Sequence, residues 1–346
     1  MSWLPPPRWL RRLLLAPLML LGTVLLVTGL PVLVVGAALV SPWLPLPGRW
    51  RGLRLLGVVL AWLVLESAVL AAAFLLWLAG LVGGRAPERR RQLADAHYTL
   101  VGWFLTVLLR IAGRAFPLDI QVTADEPPAG PRRPVIVLSR HAGPGDSFLI
   151  VHRLLTVFHR RPRVVMKSVL QLDPVMDVLG NRLPNAFVTP RPGVDKEILV
   201  RIRELAAGLD PDGALLIFPE GGNFTARRRL KAIRKLEGAG MAEQAALARG
   251  MANLLAPRSA GALAAIDAAP AADVVFVAHT GLDQLRTLGD IWRRLPTGQP
   301  VVARWWRVPA EEIPEGERER IDWLYRWWGE LDAWISANRP EPARSG

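Results

Sequence analysis

The chain has 346 residues, no cysteine, five histidines and a formal charge of +13, carried mostly by arginine. The lack of cysteine excludes disulfides and thiolate metal centres, and the scattered histidines show no metal-ligand spacing, so no metal is expected. Hydrophobic residues make up 51% of the chain, a high share for a soluble protein, and the excess sits at the N-terminus.

Residues 13–40 form an uncharged run long enough to cross a hydrocarbon core, and residues 55–82 form a second, broken only by Glu66. The Pro-rich stretch 41–48 separates them as a turn. A first run this long, followed by a second, is not expected to be a cleaved signal peptide. Arginines flank both runs: Arg8, Arg11 and Arg12 before, Arg49, Arg51 and Arg54 between, Arg85 and Arg89 to Arg91 after. Their distribution slightly favours both ends in the cytoplasm, although a hairpin re-entering one leaflet would put all three clusters on one side. Trp3, Trp9, Trp43, Trp50, Trp62 and Trp77 lie in or beside the runs, several where interfacial anchors sit. Glu66 is expected to be a neutral carboxyl hydrogen-bonded to its own helix, since an unpaired charge at that depth is costly. A basic balance suits either nucleic acid or an anionic membrane surface. With the cations flanking apolar spans, the expected partner is the anionic membrane surface, and no nucleic acid. A division near residue 92 is expected, with a membrane-embedding region at 1–91 and a second domain at 92–346.

Residues 94–115 are apolar at helical spacing, and 118–123 alternate like an edge strand. Helices are then expected at 148–158, 170–179, 195–207, 227–255 and 317–337, and strands at 135–138, 163–167, 186–189, 213–218, 273–278 and 300–308. The last helix carries Ile321, Leu324, Trp328, Leu331 and Ile335 on one stripe, read as packing. Strands alternating with helices imply a parallel or mixed sheet, an α/β fold.

The stretch 135–146 organises the rest. Val135-Ile136-Val137-Leu138 is an apolar, β-branched run that ends in a Gly- and Pro-rich turn holding His141 and, five residues on, Asp146. Histidine titrates near neutrality and can take a proton from a hydroxyl. A carboxylate on its other ring nitrogen would fix the tautomer and stabilise the imidazolium. Alone, the pair is also compatible with a turn histidine that merely satisfies its neighbours. A second buried run, Ala214-Leu215-Leu216-Ile217, ends in Phe218-Pro219-Glu220-Gly221.

His-x4-Asp followed by Phe-Pro-Glu-Gly, behind a membrane-embedding N-terminus, resembles the glycerolipid acyltransferases, the family of 1-acylglycerol-3-phosphate acyltransferases. The resemblance covers residues 140–280. It implies a fold with an N-terminal transmembrane helical hairpin followed by a mixed α/β acyltransferase domain. The family's second block reads Gly-x2-Phe-x2-Arg; here Phe187 fits, Pro184 replaces the glycine, and Arg191 comes one residue late. The arginine usual after Phe-Pro-Glu-Gly is missing, with Arg227, Arg228 and Arg229 just beyond. Pro257-Arg258 followed by Gly261 looks like a stretch of the longer branch that includes lysophosphatidylinositol and lysocardiolipin enzymes. His279 stands in the fourth block, either as a polar group at the acceptor site or as a structural histidine.

The resemblance implies a membrane-bound enzyme that moves an acyl chain from acyl-CoA or acyl carrier protein to a lysophospholipid hydroxyl, most simply that of 1-acylglycerol-3-phosphate. No other cofactor is implied. It gives His141 as general base oriented by Asp146, Glu220 and Gly221 as turn or acceptor-binding groups, and Arg258, Arg191 and Lys167 as candidates for the acceptor's phosphate. The expected location is the cell membrane, with the catalytic domain on the cytoplasmic side. The alternatives are another lysolipid or glycolipid acceptor, or a basic membrane-anchored binding protein without chemistry. The binding protein would explain the charge and the spans, but not two polar turns on successive strand ends.

Overall fold

In a computed structural model, residues 5–43, 51–82, 86–115, 119–125, 131–189, 195–282 and 300–339 are described. The first elements are α1 (Arg8–Thr28), α2 (Leu30–Val40), α3 (Arg51–Val82), α4 (Pro87–Ala115), β1 (Ile120–Ala124), β2 (Val135–Ser139), α5 (Pro144–Thr156) and β3 (Arg161–Lys167). A 3-10 turn (Ser168–Leu172), α6 (Pro174–Gly180), β4 (Ala186–Val188), α7 (Asp195–Ala207) and β5 (Gly213–Ile217) follow. The chain continues through α8 (Ala226–Gly238), α9 (Ala242–Gly250), α10 (Ser259–Ala268), β6 (Asp273–Thr280), β7 (Val301–Val308) and α11 (Glu317–Asn338). It forms two compact units, residues 1–117 with 166–191, and residues 118–165 with 192–346. Residue 92, where the sequence suggests a division, lies inside α4, which contains no proline after Pro87.

Among the described residues of the first unit, three helices are long and apolar enough to cross a membrane, Arg8–Thr28, Leu56–Leu81 and Pro87–Arg114. The uncharged run 13–40 is two helices rather than one. Gly29 stands between them, and Pro31, which has no N–H to give, occupies the first turn of α2. Most of the turn expected at 41–48 lies outside the described residues. The segment 166–191 packs its helix α6 on α1 and α3. Asp177 of α6 is buried between two cations of α1: Arg11 pairs with it, and Arg12 Nε lies 3.0 Å from its Oδ2. These two arginines, counted among the leaflet contacts in the sequence, are therefore held by a carboxylate. Glu66 is buried in α3 and hydrogen-bonds Asp173 as well as Trp62 of its own helix. The helix expected at 170–179 is the 3-10 turn followed by α6, because Pro174 starts a new helix, capped by Asp173 accepting from Met176 N at 2.8 Å.

In the second unit, six strands lie in the order β1-β7-β6-β2-β5-β3. β2 pairs in parallel with β5 and β6, β3 with β5 and β1 with β7, while β6 and β7 are antiparallel. The sheet is mixed, as the alternation of strands and helices predicts. Every residue of β2, β5 and β6 is buried, which is why these strands read as continuous apolar runs rather than alternating ones. α11 packs on β6, with Trp328, Leu324, Leu331 and Ile335 fully covered. The long helix expected at 227–255 is broken into α8 and α9 by Gly238-Ala239-Gly240, where Gly240 takes a φ of +73° that only glycine adopts readily.

Candidate active site

Strand register places the site. Leu138 of β2 is opposite Ile217 of β5, and His141 and Glu220 each lie three residues further on. Ser139 is opposite Val277 of β6, and His141 and His279 each lie two residues further on. Three parallel strands therefore bring His141, Glu220 and His279 to the same edge of the sheet, at the carboxyl ends where α/β folds hold ligands.

Asp146, in the first turn of α5, is almost completely buried. Its Oδ2 accepts the N–H groups of Ala142 (2.7 Å) and Gly143 (3.0 Å), and its Oδ1 accepts the Ser147 N–H (2.6 Å). His141 Nδ1 lies 3.1 Å from Oδ2 and 3.2 Å from Oδ1. The carboxylate thus holds the proton on Nδ1 and leaves the Nε2 lone pair able to accept one. Burial pushes the Asp146 carboxyl up; the His141 hydrogen bond, the charges of His279 and His141, and the Gly143 N–H outweigh it and hold the group below its ordinary range. It stays ionised at neutral pH. The His141 ring is 18% exposed and packs on Phe218, ring centroids 4.6 Å apart. The aromatic residue of Phe218-Pro219-Glu220-Gly221 thereby braces the imidazole.

Glu220 is buried and ties two segments together. Its Oε1 accepts the His141 backbone N–H at 2.7 Å, and its Oε2 accepts the Leu255 N–H at 2.9 Å. Both oxygens therefore face the protein's own backbone. Burial pushes its pKa up to about 7, against the two N–H groups and the charges of Arg140 and His141. A carboxyl raised in the fold favours the folded state most below its unfolded value and loses that contribution as pH rises through its folded value. Stability from Glu220 is thus complete below pH 4.5 and lost by about pH 7. In Glu220→Gln this component of the pH dependence should vanish. One amide N–H then faces a backbone N–H, and the unsatisfied donor should cost about 1–3 kcal/mol. Thermal unfolding of both proteins between pH 4.5 and pH 8 checks this; parallel curves would refute it.

The turn after β5 also receives two arginines. Gly221 has a φ of +67°, and a Cβ there would lie 2.9 Å from Arg258 Cζ. Only glycine lets that guanidinium lie against the turn. Arg258 N donates to Pro219 O at 2.9 Å, which fixes its backbone on the same loop. A Cβ at Gly222 would lie 2.7 Å from Arg228 Nη1. Of the three arginines beyond the motif, Arg228 is thus the one at the turn; Arg229 instead donates to the carbonyls of Met251 and Arg249. The sequence names all three without choosing, since helical phase alone does not show which faces the loop. Lys167 ends β3 and belongs to the first unit. Arg191 lies outside the described residues.

This arrangement can take a proton from a hydroxyl and has cations beside it for an anionic group. Residues 119–277 match the family model described as Acyltransferase. The matched stretch holds β2, β5, most of β6, His141, Asp146, Glu220 and Arg258. No curated protein matches the chain by sequence. Among solved structures, the chain is similar to the 1-acyl-sn-glycerophosphate (LPA) acyltransferase PlsC from Thermotoga maritima, with a TM-score of 0.47 and 14% identity, over 82% of this chain and 100% of that one.

Proposed function

We propose that the protein transfers a fatty acyl group from a thioester donor, acyl-CoA or acyl carrier protein, to the hydroxyl of a lysophospholipid, with 1-acylglycerol-3-phosphate as the leading acceptor. The observation that carries this reading is His141 Nδ1 on a buried, ionised Asp146 in a domain that matches the acyltransferase family. His141 Nε2 removes the proton as the acceptor oxygen attacks the thioester carbonyl. The C–O bond forms, the C–S bond breaks, and the proton passes from His141 to the departing thiolate. A covalent acyl-enzyme is not required, which suits a chain without cysteine. Arg258 takes the acceptor's phosphate, and the apolar helices keep the enzyme where a lysolipid and its product reside.

The test is the purified full-length protein in detergent, given a panel of lysolipids and glycolipids with labelled acyl-CoA or acyl carrier protein. Labelled diacyl product from a lysophospholipid supports the reading. Product only from a glycolipid moves the acceptor class, and product from none of them overturns it. We further propose that the catalytic domain faces the cytoplasm, where both donors are made, and that Arg89, Arg90 and Arg91 meet an anionic leaflet. A reporter fused after Gly346 should be found inside the cell; an external signal refutes the orientation.

A further inference from the structure

A second imidazole approaches the catalytic carboxylate. His279 is buried on β6, and its Nε2 lies 3.7 Å from Asp146 Oδ2, the oxygen that is also 3.1 Å from His141 Nδ1. The same Nε2 lies 3.4 Å from the Arg140 carbonyl. Both neighbours are acceptors, so Nε2 carries a proton directed between them. Arg140, itself buried, donates through Nη1 to the His279 carbonyl, so the ends of β2 and β6 grip each other on both sides.

We propose that His279 is a positioning residue for acyl transfer: its Nε2–H, held on the Arg140 carbonyl and 3.7 Å from the shared oxygen of Asp146, offsets electrostatically part of the carboxylate charge that would otherwise fall on His141. This rests on His141 acting as the base. Two further charged residues lie beside His141, one in space and one in sequence. Glu220 accepts its backbone N–H, and Arg140 precedes it in the chain. Both remain in every variant below, so their effects cancel in the comparison. The direction follows from charge. With the Nε2–H removed, Asp146 bears more negative charge toward His141 and favours the imidazolium. The neutral imidazole needed for general base catalysis then appears only at higher pH.

The test compares wild type, His279→Leu and His279→Gln in detergent. Leucine fills the space without an N–H, and glutamine offers an amide N–H of similar reach. His279→Leu should lower kcat about tenfold through misplacement of the base, with little change in acceptor KM. It should also move the acid limb of the kcat profile up by roughly half a unit to one unit. His279→Gln should recover most of both effects. An unmoved acid limb in His279→Leu, or equal impairment in both variants, would overturn the proposal and leave His279 a packing residue. Labelled-histidine NMR reads the same point without turnover. The His141 ring resonance, assigned by its loss in His141→Ala, should show a higher titration midpoint in His279→Leu than in wild type. Absence of acyl transfer in wild type would defeat the proposed function, whereas an unmoved midpoint would defeat the role of His279.

Discussion

Replacing His141 by alanine should reduce acyl transfer by a factor on the order of 10² to 10⁴, the usual cost of losing a general base. It should do so without unfolding the domain. The contact that ties the His141 turn to the turn after β5 runs from the His141 backbone N–H to Glu220, and alanine keeps that N–H. Asp146 keeps the N–H groups of Ala142, Gly143 and Ser147, so its charge is not left bare when the imidazole goes. The structural losses are the Nδ1 hydrogen bond to Asp146 and the contact between the ring and Phe218. Labelled-acyl turnover and thermal unfolding measured on the same sample separate the two effects. Near-normal turnover in a folded His141→Ala protein would remove His141 as the base. A large fall in melting temperature would mean that the imidazole holds the turn together.

The parts of this site legible in the sequence are those whose partners are close along the chain. His141 and Asp146 are five residues apart and meet across one turn of backbone. Phe218 to Gly221 follow a run of apolar residues that reads plainly as a buried strand. The unread parts depend on strand order, which no local pattern encodes. Only the sequence β6-β2-β5 across the sheet makes His279 a neighbour of Asp146. The same applies to the second bond of Glu220, which reaches Leu255, and to the support beneath that segment. Asp332 of α11, buried, accepts the backbone N–H groups of Ala252, Asn253 and Leu254, and Trp328 Nε1 donates to Leu255 O at 3.0 Å. Read from its stripe, α11 is a packing helix. In the fold it also satisfies the backbone of an irregular segment that leads to Arg258. α10 has no expectation at all in the sequence, because its run of alanines lacks an amphipathic period and both faces are covered.

That irregular segment ends at the cation placed to meet the acceptor's phosphate. Arg258→Ala should raise the KM for the lysolipid acceptor about ten- to a hundredfold, with little effect on the KM for the acyl donor. A hydrogen bond to a charged group contributes about 1.5–3 kcal/mol, which corresponds to that range. The guanidinium is suited to the role. It lies against Gly221, in the turn whose Glu220 holds the His141 backbone, and it is exposed. Among the described residues it has no carboxylate partner, whereas Arg11, Arg12 and Arg307 are each matched to a buried carboxylate. It also stands at the N-cap of α10, where the positive end of the helix favours an anion. A planar guanidinium grips phosphate through two parallel bonds, so Arg258→Lys should recover only part of the loss. The substitution leaves the loop in place, because the Arg258 N–H still reaches Pro219 O and Glu220 still holds Leu255. Varying the lysolipid at saturating donor, then the donor at saturating lysolipid, separates the two constants. An unchanged acceptor curve would release Arg258 from the role. Arg228, whose guanidinium lies against Gly222 one residue further along the same turn, would then be the cation to test.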